Sequence, residues 1–187
     1  MEPSGVRDNL LRVLRDHAVL HGDFVLSSGQ RSPYYLDARL VTLSARGSAL
    51  VAVLLLDAFG SNPPDAVAGL AVGADPIVAS IACLAGVRGL AVDGLIVRKE
   101  SKTHGTSRRI EGPWREGMRV AIVDDTFTTG ASALQAAQVI TEAGGRITGV
   151  YALIDRNQGA REAIEAAGYR YQWIYTASEI LDSTYTW

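Results

Sequence analysis

The chain has 187 residues, 48% of them hydrophobic and 20% charged, and a net charge of −2. That length and composition suit one well-cored domain, residues 1–187, and the near-neutral charge gives no electrostatic case for binding nucleic acid or an anionic membrane. A single cysteine, Cys83, excludes an internal disulfide and fits a reducing cytoplasm; its apolar helical setting predicts a core position.

The N-terminus, MEPSGVRDNL, is polar and shows no signal-peptide pattern. The longest apolar run, Ala49 to Leu56, is far too short to span a bilayer. Apolar positions Val6, Leu10, Leu11, Val13, Leu14 and Ala18 are spaced as one helix face over 6–20. His17 and His21, on or near that helix, read as surface or capping residues. Phe24 to Leu26 and Tyr34 to Leu36 are short strand-like runs around a polar turn. Ser44 is placed to cap a helix through Phe59, which Asn62-Pro63-Pro64 ends. Beyond it the chain alternates: strand 66–71, helix 76–85 with Pro76 in its first turn, strand 90–97, a polar segment, strand 118–124, helix 131–143 closed by Gly144-Gly145, strand 146–154, helix 160–167 and strand 171–175. Ser178 is expected to cap a short last helix. This alternation predicts an α/β fold, an open, mainly parallel sheet flanked by helices. The first helix and hairpin break the pattern and are expected to form a small hood over the sheet (residues 1–40, with a C-terminal contribution, over a core of about 41–175).

Residues 120–133 read VAIVDDTFTTGASA. An apolar run fit for a buried strand leads to two carboxylates, Asp124 and Asp125, where the strand is expected to end. Thr126, Phe127, Thr128, Thr129, Gly130, Ala131 and Ser132 follow, and a helix opens near Ala131. Ligands of open α/β sheets bind outside the carboxyl ends of strands. A Thr/Gly/Ser turn at a helix start offers N–H groups, hydroxyls and a positive dipole end, which suit a phosphate. Two carboxylates just before it suit ribose hydroxyls. The bland alternative is a strand end with a helix cap, but a cap does not need six hydroxyl or carboxylate residues around one glycine. Residues 97–112, VRKESKTHGTSRRIEG, carry Arg98, Lys99, Lys102 and His104 within seven positions, beside Gly105. The alternative there is a solvated loop. A basic, glycine-containing loop in a chain that already holds a sugar-phosphate motif fits closure over phosphate charge.

The first segment resembles the phosphoribosyl-diphosphate motif of the type I phosphoribosyltransferases. The Arg-Lys-x-x-Lys-x-His-Gly arrangement resembles the catalytic loop of the orotate phosphoribosyltransferases. Three more stretches are similar to that family: the hood signature from Phe24 to Asp37, the loop GLAVGADPIVA from Gly69 to Ala79, and Asp155-Arg156 after a strand. The resemblance implies transfer of a phosphoribosyl group from phosphoribosyl diphosphate to orotate, with Mg²⁺ held mainly through the substrate, in the synthesis of UMP. It implies that Asp124 and Asp125 hold the ribose hydroxyls and that Thr126 to Ser132 cradle the 5′-phosphate. Arg98, Lys99, Lys102 and His104 then attend the diphosphate. Thr128, Arg156, Tyr34 and Tyr35 attend the orotate, although Tyr34 and Tyr35 point to opposite sides of a strand and also suit a core. It further implies a homodimer with shared active sites, in which Arg98, Lys102 and His104 serve the partner and Lys99 its own subunit. Two positions depart from the family's usual lysines: Ser27 in the hood signature and Gly73 in the second loop. Backbone N–H groups at Gly73 and Ala74 can stand in for one of those cations. A transferase for a purine or uracil, and a non-catalytic regulator on the same fold, are the competing readings. The basic loop and Arg156 argue against the first; the retained loop, with no extra length and no basic face in the charge balance, argues against the second. Half of a bifunctional enzyme is a weaker one, since 187 residues leave no room for a decarboxylase domain.

Overall fold

A computed structural model describes residues 3–25, 31–100 and 109–181. Helix α1 (Pro3–His17) leads into an antiparallel hairpin, β1 (Val19–Val25) and β2 (Arg31–Leu36). A short α2 (Arg39–Thr42), which the sequence did not announce, precedes α3 (Ala45–Ala58). Then come β3 (Ala66–Leu70), α4 (Asp75–Val87), β4 (Asp93–Val97), β5 (Ile110–Glu111), β6 (Arg119–Phe127), α5 (Ala131–Glu142), β7 (Arg146–Asp155), α6 (Ala160–Ala166), β8 (Tyr171–Thr176) and α7 (Ala177–Leu181). The main sheet has the order β5-β4-β3-β6-β7-β8 and is parallel except for β5, which runs antiparallel beside β4.

Strand residues alternate between two buried layers, as the two-residue period of a strand requires. Val67, Ala121, Val123, Tyr151 and Leu153 face the layer that holds α1, α3 and α4. Ala66, Ala68, Val120, Ile122, Val150 and Ala152 face the layer that holds α5 and α6. Helices on both faces explain why these strands are near-continuous apolar runs. The local signals hold where they are strongest. Ser44 caps α3, its hydroxyl accepting the Gly47 N–H at 3.0 Å. Gly144 sits at φ +91° and closes α5: Gly144 N–H donates to Thr141 O and Gly145 N–H to Ile140 O, the Schellman pair.

Several expectations are corrected. α1 stops at His17, because Val19 and Leu20 pair with Leu36 and Tyr35 in the hairpin; His17 and His21 are exposed, as expected. β4 begins at Asp93 rather than at Leu90. Cys83 is exposed, not core. The buried stripe of α4 is Ile77, Val78, Ile81 and Ala85, and a residue two positions beyond Ile81 is about 200° away from it. Thr176 rather than Ser178 caps α7: its hydroxyl accepts the Glu179 N–H at 3.2 Å, while Ser178 lies inside the helix. β6 does not end at Asp124 but runs on to Phe127, so both carboxylates are strand residues.

Candidate active site

The chain visits β3, then β4 to one side of it, and only then β6 on the other side. The connections after β3 and β6 therefore diverge, and a crevice opens between them at the carboxyl ends of the strands. Asp124 and Asp125 stand at that point. The strand alternation sends them to opposite faces. Asp124 continues the Val120–Ile122 side toward α5, where Ser132 Oγ donates to its Oδ2 at 3.1 Å and the Asp125 N–H to its Oδ1 at 3.0 Å. Asp125 continues the Val123 side and feels the charge of Arg39. The pair thus spans both layers at the switch point.

Across the crevice lies the connection 71–74. A Cβ on Gly69 would overlap Ala74 and the Val123 carbonyl, so β3 and this connection fold tightly onto β6. A Cβ on Gly73 would stand 2.9 Å from Asp124 Oδ1 and 3.3 Å from Asp125 Oδ1. Here main chain, not a side chain, approaches the carboxylates. Asp75 opens α4 beside them, and one of its carboxylate oxygens is buried with no hydrogen-bond partner.

Burying Asp124, with Asp125 and Asp75 half-buried near it, makes ionisation costly. Burial, reinforced by the charge of Asp125, pushes Asp124 up to about 7. Burial pushes Asp125 up to about 6, against the opposing effects of the Thr126 N–H and Arg39. Burial also raises Asp75. Such a cluster is short of hydrogen-bond donors and positive charge, which is what ribose hydroxyls and a cation supply. Among the described residues, no three His, Cys, Asp or Glu side chains converge to hold a metal on their own.

The turn after β6 leaves a helix start open, the kind of N-terminus that suits an anion. Gly130 is the N-cap of α5 at φ +76°, and no side chain caps the helix. Its Cα approaches α6 so closely that a Cβ would stand 3.1 Å from Ile164. Thr128 and Ser132 are half-buried here, and Thr129 and Ala131 are exposed. The Phe127 side chain is buried against Tyr171, with ring centroids 6.1 Å apart, so only its main chain reaches the site. Its carbonyl accepts the Arg156 N–H at 3.0 Å. Asp155, buried at the end of β7, accepts the Asn157 N–H at 2.7 Å, and Asn157 is left-handed at φ 53°. Arg156 is thereby set next to the phosphate turn. Tyr35 lies in the field of Arg39, whose guanidinium is ion-paired with Asp37 at 2.9 Å. Tyr34 points to the other side of β2.

Arg98 and Lys99 stand just after β4 and share an open cleft of about 600 Å³ with Ala71 and Asp75. Lys102, His104 and Ser27 lie outside the described residues. The sequence reading missed Asp75 and Arg39. Asp75 passes for an ordinary helix-start acid before Pro76, and Arg39 carries no motif; only their convergence on Asp124 and Asp125 marks them.

No family model matches the chain. An orotate phosphoribosyltransferase of Streptomyces avermitilis is 45% identical over 176 residues, 94% of this chain and 97% of that protein. The orotate phosphoribosyltransferase of Mycobacterium tuberculosis in complex with iron(III) dicitrate superposes with a TM-score of 0.85 at 40% identity, covering 94% of this chain and 98% of that one. The same enzyme in complex with 5-phospho-α-D-ribosyl 1-diphosphate gives 0.81 at 36% identity, with the same coverage. A relative 45% identical over 94% of this chain and 97% of its own length, with a solved enzyme that superposes over nearly as much, shows that the chain belongs to the orotate phosphoribosyltransferase family.

Proposed function

We propose that this protein transfers the phosphoribosyl group of 5-phospho-α-D-ribose 1-diphosphate to orotate, releasing diphosphate, in the synthesis of pyrimidine nucleotides. The observation that carries the reading is the placement of Asp124 and Asp125 at the switch point, between Gly73 on one side and the uncapped start of α5 on the other.

In the reaction the bond from the ribose anomeric carbon to the diphosphate oxygen breaks, and its electron pair leaves with diphosphate. A bond from orotate N1 to the same carbon forms as N1 gives up its proton, which the departing diphosphate or solvent takes. No protein nucleophile is required, so the protein's contribution is orientation and charge. Asp124 and Asp125 accept hydrogen bonds from the ribose 2′- and 3′-hydroxyls, and their negative charge favours positive charge developing on the ring. Main-chain N–H groups from Thr126 to Ser132, with the hydroxyls of Thr128, Thr129 and Ser132, cradle the 5′-phosphate at the dipole end of α5. Lys99 and Arg98 neutralise diphosphate, joined by Lys102 and His104, and in a homodimer with shared sites Arg98, Lys102 and His104 act on the partner's substrate. Asp75, Asp124 and Asp125 would border a Mg²⁺ that came with the diphosphate, and such an ion would supply positive charge for the leaving group. Arg156 pairs with the orotate carboxylate, Thr128 adds a hydrogen bond, and Tyr35 or Tyr34 supplies an aromatic wall. We place this chemistry in the cytoplasm; among the described residues, no helix is long and apolar enough to cross a membrane.

Calorimetric titration of phosphoribosyl diphosphate with and without Mg²⁺ tests the site. The wild-type protein should bind in a Mg²⁺-dependent manner, and Asp124→Asn and Asp125→Asn should each weaken binding by about 10-fold or more, the scale of a lost charged hydrogen bond. Unchanged binding in both variants would refute the assignment.

A further inference from the structure

Arg109 closes the base of the basic segment. Its Nη2–H donates to the Lys99 carbonyl at 3.0 Å, and its Nε–H and Nη2–H both donate to the Arg98 carbonyl at 3.3 Å. The Arg98 N–H donates back to the Arg109 carbonyl at 2.9 Å, and the Arg98 guanidinium stands 3.6 Å from the Glu111 carboxylate. Residues eleven positions apart in the chain are therefore tied at both ends of the segment.

The two carbonyls that Arg109 holds belong to successive peptide planes. The Arg98 carbonyl lies in the plane before the Lys99 Cα, and the Lys99 carbonyl in the plane after it. One rigid planar group bonded to both planes restricts φ and ψ of Lys99, and so the direction of its Cα–Cβ bond. Lys99 is itself exposed, and among the described residues no side chain holds its ammonium to set that direction. The cleft it lines also holds Ala71 and Asp75, the residue that opens α4 beside Asp124 and Asp125.

We propose that Arg109 is a positioning residue for phosphoribosyl transfer: it never touches substrate but aims Lys99 at the diphosphate. This rests on the reading of Lys99 as a cation for diphosphate. A lysine at 109 keeps the charge but lacks the fork that spans two carbonyls, so charge alone cannot replace it.

The test is a double-mutant cycle with Arg109→Ala, Arg109→Lys, Lys99→Ala and Arg109→Ala/Lys99→Ala, reading kcat and both KM values, with melting temperature as a control. We expect Arg109→Ala to lower kcat/KM for phosphoribosyl diphosphate by about 10- to 100-fold, the scale of a misplacement of about 1 Å. KM for orotate should stay within about twofold, and Arg109→Lys should recover little. In the Lys99→Ala background, removing Arg109 should add less than about twofold, because the two act as one unit. Independent, multiplicative losses, or an equal loss for orotate together with a lowered melting temperature, would make Arg109 a mere hairpin staple and overturn the inference. If Lys99→Ala lowers activity while Arg109→Ala does not, this inference alone fails. If Lys99→Ala leaves phosphoribosyl diphosphate dependence unchanged, the reading of Lys99 fails and takes the inference with it. Should Arg109→Ala not fold, Arg109→Gln, which keeps the stem and one amide donor, carries the same comparison.

Discussion

Gly73→Ala is the smallest change that reaches the centre of the site. The added methyl would stand 2.9 Å from Asp124 Oδ1 and 3.3 Å from Asp125 Oδ1, where ordinary carbon–oxygen contact needs a few tenths of an ångström more. Asp124 cannot retreat freely, since Ser132 Oγ and the Asp125 N–H hold its two oxygens at 3.1 and 3.0 Å. The connection 71–74 cannot retreat freely either, because Gly69 presses on Ala74. Overpacking of this kind costs about 1–3 kcal/mol. Taken up by displacement of the carboxylates, it corresponds to about a 5- to 150-fold loss in kcat/KM for phosphoribosyl diphosphate at about 1.4 kcal/mol per tenfold. Because the clash lies at an open crevice, the melting temperature should fall by only about 2–6 °C. Steady-state kinetics with varied phosphoribosyl diphosphate, alongside thermal unfolding, measure both. A variant with kcat/KM within twofold of wild type would show that the close approach of the main chain to Asp124 does not matter, and would refute this geometry.

The raised acids give a pH signature. kcat/KM for phosphoribosyl diphosphate should rise with pH through the region of about 6 to 7, because the free protein must ionise Asp125 and Asp124 to accept the ribose hydroxyls; a flat profile between pH 5 and 8 would contradict it. The stability of the unliganded protein should run the other way. An acid raised from 3.8 to about 7 leaves the fold most stable below the lower value and less stable as pH rises through the upper one. At pH 8, Asp124→Asn should therefore melt higher than wild type, by about 1 kcal/mol or more, while losing ligand binding; a lower melting temperature would count against the burial argument. Asp155→Asn should raise KM for orotate about 10-fold with little effect on phosphoribosyl diphosphate, because the Asp155 carboxylate orders the turn that carries Arg156; an equal effect on both substrates would place Asp155 in stability alone. Gly130→Ala should destabilise the fold by about 1–3 kcal/mol and weaken phosphate binding, since a side chain at φ +76° is strained and meets Ile164 at 3.1 Å; chemical denaturation at unchanged stability would refute this.

The parallel core was legible because its periodicities are strong. Strands buried on both faces are apolar throughout, and Ser44, Pro76 and Gly144 mark helix ends by local chemistry. The ligand turn was legible for the same reason, since Gly130 and its hydroxyl neighbours do locally what a phosphate needs. Other features depend on partners remote in sequence. β6 continues to Phe127 because Thr126 and Phe127 find Ile154 and Asp155 beside them, which no local pattern reveals. β5 exists only because Ile110 meets Val97. Cys83 looked apolar in composition, yet the buried face of α4 was chosen by Ile77 and Ile81 against α3 and the sheet. Asp75 and Arg39 are ordinary residues until the fold brings them to Asp124 and Asp125.

The central claim is transfer to orotate, and one assay reaches it directly. Purified protein is mixed with Mg²⁺, phosphoribosyl diphosphate and orotate, and the loss of orotate absorbance is followed, with uracil, hypoxanthine and adenine in parallel reactions. Turnover of orotate alone is the predicted result. Turnover of another base in its place would contradict the role given to Arg156, and no turnover of any base would contradict phosphoribosyl transfer itself.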